Sequence, residues 1–340
     1  MPLDASQPAR LKSQGLKQKK SLSDLVAPEF MNKHADGNME TADRALLFLH
    51  IPKAAGTTLH SVLERQFAPD VTFTIPGADS PQGIKEFIRL PPEQRERIRL
   101  LKGHMPYGLH KYLSVPATYI TMLRDPVDRV ISHYYFARKN PAHYLHQEVT
   151  SKKMTLADFV GSGLSTELTN DQTRLISGVE KVNTRLLDGT ERRSMRADPE
   201  PVTREMLEIA KRNLREHFAA VGLFGSFDES LLLFKKVLGW TNVYYVRLNV
   251  TKDRPAKRQV PGEERALIER YNELDLELYE YARLRFEEAI RAEGAGFQHE
   301  LRSFQRKNRL YETALKGYAR TREMIPKMIG AVRKKGAGEG

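Results

Sequence analysis

A lysine, a glycine and two threonines sit together in Pro52-Lys53-Ala54-Ala55-Gly56-Thr57-Thr58. Small residues let backbone N–H groups approach a ligand closely, Lys53 adds a full positive charge, and the threonine hydroxyls add donors. Ahead of a helix N-terminus, such a set is a seat for a phosphate-like anion. A second basic turn, Arg124-Asp125-Pro126-Val127-Asp128-Arg129, is followed by Ser132, eight residues after Arg124. That spacing lets Ser132 face back along a helix toward the pocket of Arg124. His104, in Lys102-Gly103-His104, is the histidine best placed to take a proton near neutral pH. Each has a plainer alternative. Lys53 can be an exposed lysine in an ordinary strand–turn–helix, Arg124 can pair with Asp125 or Asp128, and His104 can be a loop histidine bonded to backbone.

The elements around these residues set their positions. Ala45 to Ile51 is apolar except for His50, which reads as a strand buried on both faces, with His50 a buried, hydrogen-bonded histidine. Leu59, Val62, Leu63 and Phe67 follow at helical spacing. Further strands are expected at 71–75, 98–101, 117–123, 219–223 and 243–250. Asp125 is a good N-cap and Pro126 suits the first helical position. Helices are expected at 156–160, 171–176, 204–217, 227–238, 263–293 and 297–324, with Pro326 interrupting the last. Strands alternating with helices give an α/β fold, a central parallel sheet flanked by helices with a helical C-terminal extension. Lys53, His104 and Arg124 all fall at the carboxyl ends of strands, where such sheets bind ligands.

The order Pro-Lys-x-x-Gly-Thr-Thr resembles the 5′-phosphosulfate loop of the sulfotransferases that use PAPS (3′-phosphoadenosine 5′-phosphosulfate). In its full form, His50 to Thr58, it is similar to the glycan O-sulfotransferases of the heparan sulfate type. The run from Arg124 to Tyr135 resembles the family's 3′-phosphate motif, in which the arginine and the serine are the contacts. The resemblance implies donor binding by Lys53, Ala54, Ala55, Gly56, Thr57, Thr58, Arg124 and Ser132. It makes His104 the general base and Lys53 the residue that stabilises the leaving phosphate. Lys102 departs from the second histidine that uronic-acid enzymes carry, and it joins Gln172 and Arg174 as acceptor-side residues. Asn249, Thr251 and Arg254 match a loop that closes over the nucleotide. PAPS as donor, PAP as product, no metal, and a saccharide or glycolipid acceptor are what the family implies. A kinase or NTPase would place lysine after the glycine, in G-x-x-x-x-G-K-[ST], and would need Mg²⁺. A non-catalytic protein that binds anionic membrane or nucleic acid through a basic tail is the other alternative.

The chain has 340 residues, no cysteine, and a net charge of +12. Residues 301–340 hold eleven Lys or Arg against three Glu, so the excess belongs mostly to the tail and nucleic acid is not an expected partner. Three parts are expected: a flexible segment 1–43, a catalytic domain 44–294, and a basic helical extension 295–340. In that extension Phe304, Leu310, Leu315 and Tyr318 alternate with basic residues. This suits either a helix packed on the domain or peripheral contact with anionic lipid. The lack of cysteine and of an apolar span leads us to expect a cytoplasmic protein, and, since glycan sulfotransferases of eukaryotic type usually carry a membrane anchor, the resemblance implies a bacterial-type relative. His143 and His146 offer metal-ligand spacing but no third ligand.

Overall fold

The structure, a computed structural model, describes residues 44–77, 80–178, 201–247 and 255–336. Five parallel strands form one sheet: β1 (Ala45–Leu49), β2 (Thr72–Ile75), β3 (Leu100–Gly103), β4 (Ala117–Leu123) and β5 (Phe218–Leu223), in the order β2-β3-β1-β4-β5. β1 lies in the middle and is buried on both faces, as its unbroken apolar run requires. Its register sets Leu49 beside Gly103 on one side and Thr121 on the other. The residues that follow, His50 and His104, therefore leave the sheet side by side.

Helices cover both faces. They are α1 (Gly56–Leu63), α2 (Ser80–Arg89), α3 (Pro92–Glu96), α4 (Pro126–Lys139), α5 (His146–Ser151), α6 (Leu156–Gly161), α7 (Asp171–Ser177), α8 (Arg204–Glu216), α9 (Phe227–Leu238), α10 (Gly262–Tyr271), α11 (Glu273–Ala292) and α12 (Gly296–Gly336). α4 starts as its sequence dictates, with Asp125 accepting from the Asp128 N–H and Pro126 in the first turn. The main core joins the sheet to α1, α8, α9 and α11, and a second cluster lies between α4, α5, α6 and α10.

Residues 36–314 form one compact unit. The first turns of α12 belong to its core, because Phe297, Leu301 and Phe304 are buried there and Phe304 stacks on Tyr244. A second unit takes in the chain from Leu315, whose described backbone is helical to Gly336.

Two expectations fail. Residues 243–247 are not a strand: Tyr245 donates its N–H to the Asn308 side chain, while the carbonyls of Asn242 and Tyr244 accept from Gln66 and Arg65. Side chains of α12 and of the α1 end have taken the groups a sheet ladder would use. Pro326 does not interrupt the last helix, which runs through it. A proline in a helix interior costs one hydrogen bond and about 3 kcal/mol, which disfavours the helix without forbidding it. The segments 1–43 and 179–200, and with them Asn249, Thr251 and Arg254, lie outside the described residues.

Candidate active site

The turn between β1 and α1 is built from unusual backbone. Lys53 has φ 68° and Ala55 φ 62°, so two L-residues with side chains occupy the left-handed region. Such conformations cost on the order of 1–3 kcal/mol each and persist where surrounding structure imposes them. Ala54, between them, is not left-handed, and its N–H closes the turn on the Ile51 carbonyl at 3.3 Å. α1 begins with Ala55 at its N-cap and no side-chain cap. Its first N–H groups thus have no capping side chain, and the positive end of the helix faces the turn.

Gly56 is dictated by a histidine. A Cβ placed there would lie 1.7 Å from His50 Nε2, inside the imidazole. Gly103 and Gly77 play matching parts on the other strands. A Cβ on Gly103, whose φ is +139°, would strike the Ile75 carbonyl at 2.1 Å, and one on Gly77 would meet the His104 ring at 2.7 Å. These glycines let β1, β2 and β3 bring their ends within van der Waals reach of two imidazoles.

Three histidines form a row at this edge. His50 Nδ1 and His60 Nε2 are 3.1 Å apart, and the His50 and His104 rings are tilted with centroids at 4.2 Å. Phe48 stacks on His50 from below. Burial, with His50 and Lys102 adding to it, holds the His60 pKa down to about 2, so its ring is neutral. His104 is half-buried and His50 is buried.

Arg124 closes the other side of the turn. Its Nη1 donates to the Lys53 carbonyl at 2.6 Å, and Nε and Nη2 donate to Asp128 at 2.7 and 2.5 Å. Its guanidinium carbon lies 4.0 Å from the centre of the Phe224 ring, just past β5. The pairing with Asp128 and a position at the anion turn are therefore both realised. The same fork that meets Asp128 holds the turn in its left-handed shape. Ser132 is buried on α4, two turns further along. The Lys53 ammonium lies 3.3 Å above the Phe136 ring, on the α4 side, and its charge lowers the nearby His143. Burial is the larger cause there and brings His143 to about 4.

The acceptor-side expectations come out differently. Lys102 is buried with its ammonium 2.6 Å from Glu64 at the end of α1. Gln172 is buried and both ends of its amide are committed: Oε1 accepts from Arg124 N at 3.1 Å, and Nε2 donates to Arg124 O at 3.0 Å. It therefore holds the end of β4. Arg174 is buried beside Asp171 and Asp275, and burial lowers its pKa against their pull. His143 and His146 are tied to backbone, at Leu145 N and Ala137 O. Among the described residues no group of three or more His, Asp or Glu is placed to hold a metal ion, and no helix is long and apolar enough to cross a membrane.

Residues outside the sequence reading complete the site. His60 lies on α1 at four residues from Gly56, a spacing that puts it over the turn. Of the two partners the sequence offered Arg124, Asp125 and Asp128, the structure gives it Asp128, at i+4. Asp275 was invisible from sequence. Its buried carboxylate accepts from the N–H groups of Gln172 and Thr173 at 3.1 and 2.7 Å and from the Thr173 hydroxyl, capping α7 from α11. Arg129, fully buried, stands 3.7 Å from Asp171 and 3.8 Å from Asp275. Desolvation raises the Asp275 pKa, and Arg129 opposes the rise.

The turn and its histidines lie at the carboxyl end of the central strand of a parallel sheet, where α/β folds of this class bind their ligands. The chain belongs to the galactose-3-O-sulfotransferase family, which it matches over residues 13–323. No curated protein matches it in sequence. Among solved structures, the crystal structure of mouse sulfotransferase SULT7A1 complexed with PAP is similar at 14% identity, over 73% of this chain and 67% of that one, with a TM-score of 0.32.

Proposed function

We propose that the protein transfers a sulfuryl group from PAPS to a hydroxyl of a saccharide, with a galactose 3-hydroxyl as the acceptor that the family's description names. The observation that carries this is the turn itself: two left-handed L-residues, a helix N-terminus without a side-chain cap, and Arg124 bonded to the Lys53 carbonyl. In this reading residues 53–58 seat the 5′-phosphosulfate, and Arg124 with Ser132 meets the 3′-phosphate. His104 takes the proton of the acceptor hydroxyl as the new O–S bond forms. The bond from sulfur to the 5′-phosphate oxygen breaks, and Lys53 with the loop N–H groups stabilises the charge that develops on that oxygen. The transfer itself calls for in-line placement and charge stabilisation, and no metal enters the scheme. Lys102, Gln172 and Arg174 then shape the site from behind.

A kinase or NTPase is disfavoured by the position of Lys53, three residues before Gly56 at the strand end. Thermal melts with PAP, ATP and ATP–Mg²⁺ separate the two. PAP is expected to raise the melting temperature and ATP–Mg²⁺ to leave it unchanged; the reverse pattern would sink the assignment.

The acceptor's carrier is addressed by α12. Leu310 is 68% exposed beside Arg306, Lys307 and Arg309, which supports peripheral contact with anionic lipid and thus a glycolipid acceptor. The absence of cysteine suits a reducing compartment.

A further inference from the structure

The row of histidines contains more than one base needs. His50 sits between the anion turn and two other imidazoles. Its Nε2 edge is packed on the Cβ side of Gly56, the first residue of α1. Its Nδ1 faces His60 Nε2 at 3.1 Å, and its ring lies against that of His104. The neighbouring ionic groups, Lys102 and Glu64, are paired with one another.

We propose that His50 is a ligand of the anionic group held at the N-terminus of α1, donating from Nε2–H, with His60 as the positioning residue that fixes its tautomer. This rests on the reading above, in which the turn seats the 5′ end of the donor.

The argument is one of donors and acceptors. Each neutral imidazole has one N–H and one lone pair. Only one proton lies on the line between His50 Nδ1 and His60 Nε2. If His60 supplies it, His50 Nδ1 accepts and His50 Nε2 carries the N–H. A phosphate or sulfuryl oxygen at the helix N-terminus offers only lone pairs, so it selects this arrangement over its mirror. Gly56 fits the same account. Any side chain there would displace the imidazole and put carbon between it and the anion. The face of His50 also limits how far the His104 ring can turn, so the same residue aligns the base.

The test separates the 5′ end of the ligand from the rest. Full-length wild type, His50→Phe, His50→Gln, His60→Phe and His60→Gln are titrated by calorimetry with PAP and with adenosine 3′-phosphate, which lacks the 5′-phosphate. His50→Phe keeps a ring but no nitrogen. It is expected to lose about 10- to 100-fold in PAP affinity, the scale of a hydrogen bond to a charged group, with adenosine 3′-phosphate unaffected. His50→Gln, whose amide reaches the place of Nε2, is expected to retain most of the PAP affinity. His60→Phe should fall in the same direction by less, and His60→Gln should recover. An unchanged ratio of the two affinities in a folded His50→Phe protein would overturn the proposal, and so would an equal loss of both ligands. Should His50→Phe not fold, an unchanged ratio in His60→Phe overturns it instead. If wild type binds the two ligands equally, the 5′ seat is not at this turn and the proposed function fails along with this inference.

Discussion

At the scale of single residues, the site depends on groups whose charge state is set by burial. His60 and His143 are held at about 2 and about 4, below the ordinary histidine value of 6.5. A depressed histidine binds no proton in the folded protein while the unfolded chain does. Stability is therefore complete above the unfolded value and falls as pH drops from about 6.5 toward the folded value, by up to about 1.4 kcal/mol per pH unit for each group. Urea unfolding at a series of pH values between neutral and pH 5 checks this. His60→Phe is expected to show a shallower loss than wild type, by roughly 1 kcal/mol per pH unit; parallel curves would mean that His60 titrates normally. The turn after β1 and the strand-end positions of His104 and Arg124 were legible from residue types and spacing. His60 was not singled out, because one histidine on a helix carries no signal until the register places His50 beside it.

At the scale of elements, α7 is the piece that ties the two halves of the site together. It has no cap of its own, since its N-cap, Asn170, is left-handed and its side-chain oxygen accepts from the N–H groups of Leu274 and Asp275 instead of from α7. Asp275 of α11 supplies the cap, and Gln172 then clamps the backbone of Arg124. Arg129 offsets the buried carboxylates of Asp171 and Asp275. Removing one partner of a buried ionic group leaves the others uncompensated, at a cost of about 3–5 kcal/mol. Arg129→Met is expected to destabilise by that order in denaturant unfolding and to weaken PAP binding with it, although it touches no part of the turn. A loss below about 1 kcal/mol would show that the carboxylates are relieved in some other way. Sequence pattern located α7 nearly to the residue. Gln172 and Arg174 read as acceptor-side residues through the family resemblance of their segment. Asp275, more than a hundred positions away, caps α7 through the N–H groups of Gln172 and Thr173, and no local pattern encodes that pairing.

At the scale of the whole molecule, the strand count and the end of the core are where the sequence misled. The segment at 243–247 has the alternation of a strand, yet its backbone groups are taken by side chains of Arg65, Gln66 and Asn308. Through Asn308, Phe297, Leu301 and Phe304 the first turns of α12 become part of the compact unit 36–314. The sequence offered a helix packed on the domain as one of two readings of the extension that begins at 295. A chain ending at Glu293 would lose three core side chains whose burial contributes about 1.5–3 kcal/mol each and would bare the apolar surface they cover, and it is expected to be unfolded or aggregated. A chain ending at Ala314 should unfold like the full protein and keep its PAP affinity, while a full-length variant with Leu310→Asp, Arg306→Glu, Lys307→Glu and Arg309→Glu should lose co-sedimentation with anionic vesicles. Equal vesicle binding by wild type and this variant, or none by either at low salt, would end the lipid reading.

The central claim is sulfuryl transfer at the turn between β1 and α1, with His104 as base. The most direct measurement is transfer of labelled sulfate from PAPS to galactose-terminated saccharides, by wild type and by His104→Ala matched in fold and in PAP affinity. Wild type is expected to label the acceptor. His104→Ala should bind PAP nearly as well and turn over roughly 10²–10⁴ more slowly, the scale of lost general-base help. Near-normal turnover by His104→Ala at saturating acceptor would contradict the assignment of the base. Failure of wild type to label any hydroxyl acceptor while binding PAP normally would contradict the transfer itself.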